Sequence, residues 1–492
     1  MILSIDQGTT GTTAFVFDHS GQLCGRSYSE FPQYYPHPGW VEHDAEEIWQ
    51  VTRKVCAAAL QRAGITAADL SAIGITNQRE TTVLWDRASG EPVCRAIVWQ
   101  CRRSAGICDE LRAAGKAAWI RQKTGLVLDA YFSGSKLQWI FRQNPELHRR
   151  ALAGDLCFGT IDSWLIWKMS GGRAHLTDHT NASRTLLYDI ERRGWDAELS
   201  ALFECPSALL PEIRPSAGLF AMTDPDAFLG GEIPITGVAG DQQAAMFGQG
   251  CVYPGSVKNT YGTGCFMLAM AGDQRPQIPA GLLATVACDA SGQPVYAVEG
   301  SVFNGGAAVQ WLRDDLGLIQ QAADSEQLAH SVPNTRGVYL VPAFSGLGAP
   351  HWDAAARGSV FGLTRGAGRA EIVRATLESI AYQSHELIAL MGTALGVELT
   401  CLRVDGGASA NNFLMQFQAD ISSIRVERPR QIESTAVGAA LLAGLGAGIW
   451  SGDTLPESLR EIEQDFLPQM SGAQREQLLR GWGRAVDACR SF

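Results

Sequence analysis

One stretch constrains this chain more than any other: an apolar, β-branched run that ends in a glycine and a single carboxylate. The run from Ile233 to Val238 predicts a buried strand, which breaks at Gly240 and is followed at once by Asp241. An alanine-rich segment up to Gly248 then predicts the start of a helix. Open α/β sheets bind ligands at the carboxyl ends of strands, so Asp241 is a candidate site residue. A capping aspartate at an ordinary strand-to-helix turn is the alternative.

The length and composition describe a globular protein with more than one domain. At 492 residues the chain exceeds what one hydrophobic core usually supports, so two large domains, or three, are expected. Hydrophobic residues make up 46% of the chain and charged residues 18%, which is typical of folded proteins. The net charge of −11 argues against a general nucleic-acid binder, and we expect no nucleic-acid partner.

No stretch predicts insertion into a membrane, and we expect a cytoplasmic protein. The longest apolar run, from Ala436 to Trp450, is too short to span a bilayer. The N-terminus lacks a basic segment and contains Asp6, which disfavours a signal peptide. The 12 cysteines form no CxxC pair, which favours reduced thiols over zinc binding. His175 and His179 fall in a polar stretch that predicts a loop with solvated side chains.

A turn rich in threonine and glycine follows the first predicted strand. Strands over Ile2–Ile5 and Ala14–Phe17 flank the sequence DQGTTGTT. Its glycines permit tight backbone geometry, and its hydroxyls and amides can surround phosphate oxygens. Asp6 could hold Mg²⁺ through water, because this ion prefers oxygen ligands. A polar hairpin without a ligand is the alternative. The turn residues predicted to contact a nucleotide are Thr9, Thr10, Gly11 and Thr12.

Two later strands end in residues that can bind hydroxyl groups. The strand predicted over Ala72–Thr76 is followed by Arg79 and Glu80, and the next apolar strand ends at Trp99. A guanidinium beside a carboxylate can hold several hydroxyls of a polyol. An adjacent pair of opposite charges is more often a surface ion pair of little energetic value. Trp99 and Tyr131 are aromatic side chains that could wall such a site.

The order of elements at the N-terminus recurs after Gly248. A strand over Gly255–Tyr261 leads into the turn YGTGCF, and further strands follow, which is weak evidence of an architectural repeat. Further on, a short strand ends in DGGASANN, where Gly406 and Gly407 would let a flat group such as adenine approach the backbone. A tight strand-to-helix connection would also use two glycines. No GxGxxG joins a first strand to a helix, so a dinucleotide fold is disfavoured.

Together these motifs resemble one family, the glycerol kinases, which belong to the FGGY carbohydrate kinases of the actin-like ATPase superfamily. The matching segments are IDQGTTGTT, GITNQRETT, IVWQCRR, YFSGSK, AGDQQAA, NTYGTGCFM, VDGGASANNFLMQFQ and the stretch Gly358–Glu378. The resemblance implies an α/β fold with two actin-like, ribonuclease H-like domains around a deep central cleft. We expect an N-terminal domain over residues 1–248, with the polyol site and phosphate loop, and a nucleotide-binding C-terminal domain over residues 249–492.

The resemblance also implies a role for individual residues. The residues that match positions holding glycerol hydroxyls are Arg79, Glu80, Tyr131, Asp241 and Gln242. Those that match its apolar walls are Trp99 and Phe266, and Asp6 matches the magnesium-associated aspartate, with Asp241 as the second predicted metal residue. Those that match nucleotide contacts are Thr10, Thr263, Gly306, Gln310, Gly407 and Asn411.

The implied activity is ATP-dependent phosphorylation of glycerol to sn-glycerol 3-phosphate, with Asp241 as general base. ATP and Mg²⁺ are the implied cofactors, glycerol and ATP the implied small-molecule partners, and a homo-oligomer (dimer or tetramer) is the family's habit. A related FGGY kinase for another small polyol or ketose is one alternative. A non-catalytic actin-like module, such as a nucleotide-gated chaperone or a filament former, is another.

Two positions depart from the family pattern. Many glycerol kinases carry an arginine that reaches the nucleotide phosphates where this chain has Thr13. Members inhibited by fructose 1,6-bisphosphate carry an arginine just before the IPI strand, where this chain has Glu232. We therefore expect weaker ATP binding and insensitivity to that inhibitor.

Overall fold

Two large mixed sheets, one in each half of the chain, organise the computed structural model. The structure describes residues 1–351, 353, 355–430, 433–451 and 461–492. Part of the C-terminal domain expected over residues 249–492 therefore lies outside the described residues, namely 352, 354, 431–432 and 452–460.

The strands within the described residues are β1 (Ile2–Gln7), β2 (Gly11–Phe17), β3 (Leu23–Glu30), β4 (Glu42–His43), β5 (Ala72–Asn77), β6 (Val83–Asp86), β7 (Ala96–Ile97), β8 (Leu156–Gly159), β9 (Leu176–Asp178), β10 (Tyr188–Asp189), β11 (Gly194–Trp195), β12 (Glu212–Arg214), β13 (Ala217–Met222), β14 (Pro234–Gly240), β15 (Val257–Tyr261), β16 (Cys265–Gly272), β17 (Leu283–Cys288), β18 (Pro294–Val302), β19 (Tyr339–Val341), β20 (Ser359–Phe361), β21 (Cys401–Asp405), β22 (Arg425–Pro429) and β23 (Ile462–Phe466). The α-helices in the same ranges are α1 (Ala45–Ala63), α2 (Ala105–Ala113), α3 (Ala117–Thr124), α4 (Ser133–Gln143), α5 (Pro145–Ala153), α6 (Ile161–Met169), α7 (His179–Ala182), α8 (Ala197–Leu202), α9 (Asp241–Gly248), α10 (Gly306–Asp314), α11 (Asp324–His330), α12 (Arg369–Leu395), α13 (Asn412–Ser422), α14 (Ser434–Gly446) and α15 (Gly472–Arg490).

The sheet of the first half has six strands in the order β13-β14-β5-β1-β2-β3. Strand β1 is antiparallel to β2 and parallel to β5, which is in turn parallel to β14. The register aligns Gln7, Asn77 and Gly240, which are the last residues of the three parallel strands. The residues that follow β5 and β14 therefore meet at one edge of the sheet, and Asp241 lies at the end of its strand as predicted.

The seven-stranded sheet of the second half, in the order β17-β18-β16-β15-β21-β22-β23, repeats this arrangement. Its antiparallel strands β18, β16 and β15 are followed by β21 and β22, parallel to β15, and by the antiparallel β23. The first sheet, read as β3-β2-β1-β5-β14-β13, has the same succession of directions. The predicted repeat is present, and the predicted fold class, two α/β actin-like halves around a cleft, is confirmed.

Helices α9 and α14 lie where the two halves meet. Helix α14 packs on β1, β5 and β14 of the first sheet and on α9, and Ser4 donates a 2.7 Å hydrogen bond to the carbonyl oxygen of Ala436. A Cβ atom at Gly438 would overlap the carbonyl oxygen of Ala244, so a small residue is required there. The apolar run predicted to be too short for a membrane is thus a buried helix. Within the described residues, no helix is both long enough and apolar enough to cross a bilayer.

The chain between β5 and β14 adds a layer of short ladders and helices that carries part of the site. Tyr131 lies two residues before α4 in this layer, and Arg184 lies two residues after α7. The stretch around His175 and His179 forms β9 and α7, so the prediction of a solvated loop was wrong. Both imidazoles are half-buried, and burial lowers the pKa of each to about 4.

Candidate active site

Asp241 lies at the carboxyl edge of the first sheet, where β14 ends and α9 begins. Its Oδ1 atom accepts a 2.7 Å hydrogen bond from the backbone amide of Gln242 and lies 3.2 Å from Nε of Arg79. About a third of the side chain, 34%, is exposed. The carboxylate is therefore held in place and still accessible from the cleft.

Asp6 is a second carboxylate at the same edge, at the end of β1. Burial and the nearby charges of Asp241 and Glu433 raise the pKa of Asp6 to about 7. A divalent cation would relieve this repulsion, and carboxylates, phosphate oxygens and water are the ligands that Mg²⁺ prefers. In the described part of the chain, no three or more His, Cys, Asp or Glu side chains form a metal site. Asp6 and Asp241 thus fit Mg²⁺ provided that a phosphorylated substrate and water complete its ligands.

The predicted phosphate turn joins β1 and β2 beside Asp6. The Gly8 amide donates a 2.9 Å hydrogen bond to the Gly11 carbonyl oxygen, which closes the turn. A Cβ atom at Gly11 would lie 2.6 Å from the Tyr28 ring, so the close approach of β3 requires glycine at position 11. Thr10 is exposed at the tip of this turn.

Two threonines of the turn differ in what they can offer a nucleotide. Thr9 is half-buried, and its hydroxyl accepts a 2.9 Å hydrogen bond from the indole of Trp99. Thr12 is fully buried within β2, and its hydroxyl has no hydrogen-bond partner among the described residues. The contact from Thr12 to a nucleotide stays a prediction.

Arg79 and Glu80 are buried in a network of four charged side chains, so the surface-pair alternative was wrong. Nη1 and Nη2 of Arg79 donate to the two oxygens of Glu299, at 2.7 and 3.1 Å. Arg184 donates from Nε to Glu80 (2.6 Å) and from Nη2 to Glu299 (3.0 Å). Although burial alone would raise the pKa of Glu299, Arg184 and Arg79 lower it to about 2. Glu299 is therefore ionised at any physiological pH.

The main chain at Glu80 is held as firmly as its side chain. Its φ angle is 62°, in the left-handed region that few residues other than glycine adopt. Its carbonyl oxygen accepts hydrogen bonds from the hydroxyls of Ser133 (3.0 Å) and Thr82 (3.2 Å) and from Nζ of Lys136 (3.3 Å). Strain of this kind persists only where surrounding groups fix the conformation, and it is common at binding sites.

The predicted aromatic walls come from both halves. The rings of Trp99 and Tyr131 pack edge to face at 5.5 Å, and burial raises the pKa of Tyr131. In the second sheet, Thr260 of β15 is paired in register with Phe266 of β16. Two residues along, Lys258 of β15, Leu268 of β16 and Glu299 of β18 lie side by side across the three strands. Side chains two residues apart share a face, so Phe266 and Glu299 project from the same face.

Lys258 was not recognised in the sequence as a site residue. Its Nζ atom donates to Oε1 of Gln242 at 2.5 Å and to the Thr260 hydroxyl at 2.8 Å. Since Lys258 occupies the amide oxygen of Gln242, the amide nitrogen of Gln242 is the group free to donate to a ligand. Desolvation lowers the pKa of Lys258.

Five predicted nucleotide residues line one cavity of about 360 Å³ beside the second sheet. These residues are Thr263, Gly306, Gln310, Gly407 and Asn411. The turn residues of the first sheet do not line this cavity. Other residues that line the cavity carry no recognisable signal in the sequence; one is Ser325, whose hydroxyl accepts a 3.2 Å hydrogen bond from the side-chain amide of Asn411. At Gly406 (φ 83°) a Cβ atom would lie 2.6 Å from the Tyr261 carbonyl oxygen, so the tight turn requires glycine.

Both halves of the chain match family models. Residues 1–248 match the N-terminal domain of the FGGY family of carbohydrate kinases, and residues 257–447 match its C-terminal domain. The chain belongs to the FGGY family of carbohydrate kinases. The glycerol kinase of Carboxydothermus hydrogenoformans is 53% identical over 491 residues, which are 100% of this FGGY kinase and 98% of that relative. The glycerol kinase of Symbiobacterium thermophilum is 54% identical over 491 residues, with the same coverage, 100% and 98%.

A solved structure agrees with these relatives. The crystal structure of Plasmodium falciparum glycerol kinase with ADP matches this FGGY kinase with a TM-score of 0.93 at 37% identity, covering 99% of this chain and 98% of that one. The resemblance to glycerol kinases that the motifs indicated is therefore confirmed. As an FGGY kinase, the protein is a phosphotransferase.

Proposed function

We propose that this FGGY kinase transfers the γ-phosphoryl group of ATP to a terminal hydroxyl of glycerol and releases sn-glycerol 3-phosphate. The observation that carries the proposal is the position of Asp241. Its partly exposed carboxylate lies 3.2 Å from Nε of Arg79, on the polyol side, and near enough to Asp6, on the phosphate side, to raise the pKa of that carboxyl group. A general base is needed where the attacking hydroxyl meets the transferred group.

The polyol side of the proposal rests on side chains that converge on Asp241. Buried charges, an orientated amide and aromatic rings are suited to a small molecule with several hydroxyls and a short carbon chain. We assign the hydroxyl contacts to Arg79, Glu80, Tyr131, Asp241 and Gln242, and the apolar walls to Trp99 and Phe266.

The nucleotide side rests on the cavity of about 360 Å³ and on the turn between β1 and β2. The cavity would take the base and ribose, and the turn, on the other side of the cleft, would take the phosphates. We assign nucleotide contacts to Thr263, Gly306, Gln310, Gly407 and Asn411, and phosphate contacts to Thr9, Thr10, Gly11 and Thr12.

In the proposed reaction, Asp241 accepts the proton of the glycerol hydroxyl as its oxygen attacks the γ-phosphorus in line. Arg79 and the amide of Gln242 hold the carboxylate in position for this step. Proton acceptance typically contributes ~10²–10⁴-fold to the rate, so substrate positioning and preorganised charge must supply the rest. When bound, Mg²⁺ supplies positive charge beside the transferred group, and Asp6 and Asp241 would hold it.

The test is glycerol-dependent release of ADP by the purified protein, with Asp241→Asn as the decisive variant. We expect turnover with glycerol and at least a ~10²-fold loss of kcat in the variant. Dihydroxyacetone, glyceraldehyde, erythritol and xylulose serve as competing substrates. Preferred turnover of one of these would redirect the proposal to that substrate, and full activity of Asp241→Asn would exclude Asp241 as the base.

We also propose a cytoplasmic location and a homo-oligomer, either a dimer or a tetramer. The 12 cysteines, all within the described residues, form no disulfide; nine of them are buried and the other three are half-buried, as suits a reducing compartment. The oligomer rests on the resemblance to glycerol kinases. Light scattering of the purified protein measures its mass, and a monomer at micromolar concentration would contradict this part of the proposal.

A further inference from the structure

Glu299 lies in β18, the second strand from one edge of the seven-stranded sheet, yet its side chain contacts residues of the first half. Its side chain is 1% exposed. Oε2 accepts from Nη1 of Arg79, and Oε1 accepts from Nη2 of Arg79 and from Nη2 of Arg184. Three charge-assisted hydrogen bonds, two of them in a bidentate pair, make this a strongly directional contact.

These bonds determine how Arg79 faces the site. A guanidinium is planar and offers five N–H donors in a fixed fork, so holding two nitrogens fixes the third. With Nη1 and Nη2 on Glu299, Nε of Arg79 is directed to Asp241 at 3.2 Å and lies 3.8 Å from Oε1 of Glu80. The approach of Arg79 to Asp241 therefore depends on a carboxylate from the other sheet.

Arg184 connects Glu299 to Glu80 and so holds Glu80 in place as well. It bridges Oε1 of Glu80 and Oε1 of Glu299, and its side chain is 0% exposed. Without Glu299, two buried arginines would face the single carboxylate of Glu80 and the partly exposed Asp241. Arg79 would then lose the acceptor that orients its guanidinium, and Arg184, which contacts Glu80, would lose one of its two carboxylate partners.

We infer that Glu299 is a positioning residue of the polyol site, which orients Arg79 directly and Glu80 through Arg184. Because Glu299 belongs to the second sheet and the other three residues to the first half, the polyol site is complete only when the two halves are packed together. This inference rests on the proposed function, since it assigns Arg79 and Glu80 to the polyol.

A purely structural ion pair is the competing explanation. Buried ion pairs are often neutral in their net effect on stability, and their loss lowers stability without selecting one substrate over another. A positioning role instead predicts that the Michaelis constant for the polyol changes and that for ATP does not, because the nucleotide cavity is lined by other residues.

Glu299→Gln tests this, since glutamine keeps the size and one acceptor but removes the charge. We expect KM for glycerol to rise about tenfold or more while KM for ATP changes less than about twofold. Glu378→Gln is the matched control: Glu378 is also buried and paired with an arginine, Arg374, but lies in α12 outside the site. We expect both Michaelis constants of the control to stay near those of the wild type.

Arg184→Lys is a second variant, which keeps the charge but cannot bridge two carboxylates, and it should show the same selective rise. It decides the matter if Glu299→Gln does not fold. An unchanged KM for glycerol in the folded variants, or equal rises for glycerol and ATP, would overturn the inference. Failure of the proposed function is seen separately, in the wild type; if another polyol is the substrate, the same variants are compared with that polyol.

Discussion

The Nε atom of Arg79 lies 3.2 Å from Oδ1 of Asp241, while the other two nitrogens of the same guanidinium contact Glu299. One arginine thus connects the proposed base to a strand of the opposite sheet. Arg79 is 2% exposed and Glu299 1%, so the connection is shielded from solvent and from salt.

Arg79→Gln is expected to lower the free energy of unfolding by about 3 kcal/mol or more, as measured by urea denaturation at pH 7. Glu80 and Glu299 would then share one buried cation, Arg184, and removing one partner of a buried pair costs about 3–5 kcal/mol. Arg102→Gln is the control, because Arg102 pairs with Asp129 on the surface, is 54% exposed and should cost less than about 1 kcal/mol. Equal effects of the two variants would show that the buried network does not depend on Arg79.

Asp6→Asn is expected to stabilise the metal-free protein at pH 8 and to have little effect near pH 4. The folded protein binds a proton on Asp6 up to about pH 7, whereas the unfolded chain releases it near the ordinary pKa of 3.8. Stability from this group therefore falls as the pH rises between these values. With EDTA present, we expect a gain on the order of 2 kcal/mol at pH 8 in urea denaturation.

Asp18→Asn, at the far end of the same hairpin, should behave in the opposite way. Burial opposes ionisation of Asp18, but the hydrogen bonds from Ser20, Gln22 and Gly21 together lower its pKa. Its contribution is therefore present above the ordinary pKa and lost as the pH falls, so the variant should be less stable at pH 8. If Asp6→Asn also lost stability at pH 8, the repulsion assigned to Asp6 would be wrong.

The sequence predicted the elements that carry the site because strands, turns and caps are encoded locally. The apolar run before Gly240, the turn after Asp6 and the two glycines at Gly406 each correspond to an element end in the structure. Parallel strands bring such ends together, and β1, β5 and β14 place Asp6, Arg79 and Asp241 at one edge, whereas the sequence located each only at the end of its own strand.

What the sequence did not predict depends on how the two sheets face each other. Glu299 is a lone carboxylate in the run VYAVEGSVF, a signal that it must be paired, but its partners lie far away in the sequence, at positions 79 and 184. Strand periodicity gives the face of a residue within its own sheet and not the element opposite that face. For the same reason the sequence showed the segment around Gly438 only as an apolar run. It did not show that the small residues of this helix allow it to pack between the two halves.

Fructose 1,6-bisphosphate is expected to leave the activity unchanged at millimolar concentration. Glu232 is exposed and lines a cavity of about 470 Å³, where its charge would repel a sugar phosphate. The two arginines of this cavity are already paired, Arg173 with Asp224 at 3.4 Å and Arg214 with Glu212 at 3.1 Å. Initial rates with and without the effector measure this. Clear inhibition of the wild type would refute the prediction, and Glu232→Arg provides a variant in which the repulsion is absent.

Thr13→Arg is expected to lower KM for ATP. Thr13 is paired in register with Asp6 across β1 and β2, so both side chains project from the same face, toward the phosphate side of the cleft. Thr13 is half-buried and its neighbour on β3, Tyr28, is exposed, which leaves room for a longer side chain. A charge-assisted hydrogen bond to a phosphate is worth about 1.5–3 kcal/mol, so KM should fall about tenfold or more.

Gln22→Arg separates this contact from the general effect of an added positive charge. Gln22 is exposed just before β3, at the opposite end of the hairpin from the turn that bears Thr9 and Thr10, so an arginine there raises the net charge equally but cannot reach the cleft. Long-range attraction between charges is screened within ~10 Å at 0.1 M salt, so this control should leave KM for ATP unchanged. A fall in KM for Thr13→Arg alone would mean that Thr13 marks a phosphate contact this FGGY kinase lacks, whereas no change, or a rise, would show that the phosphates bind without a group at that position.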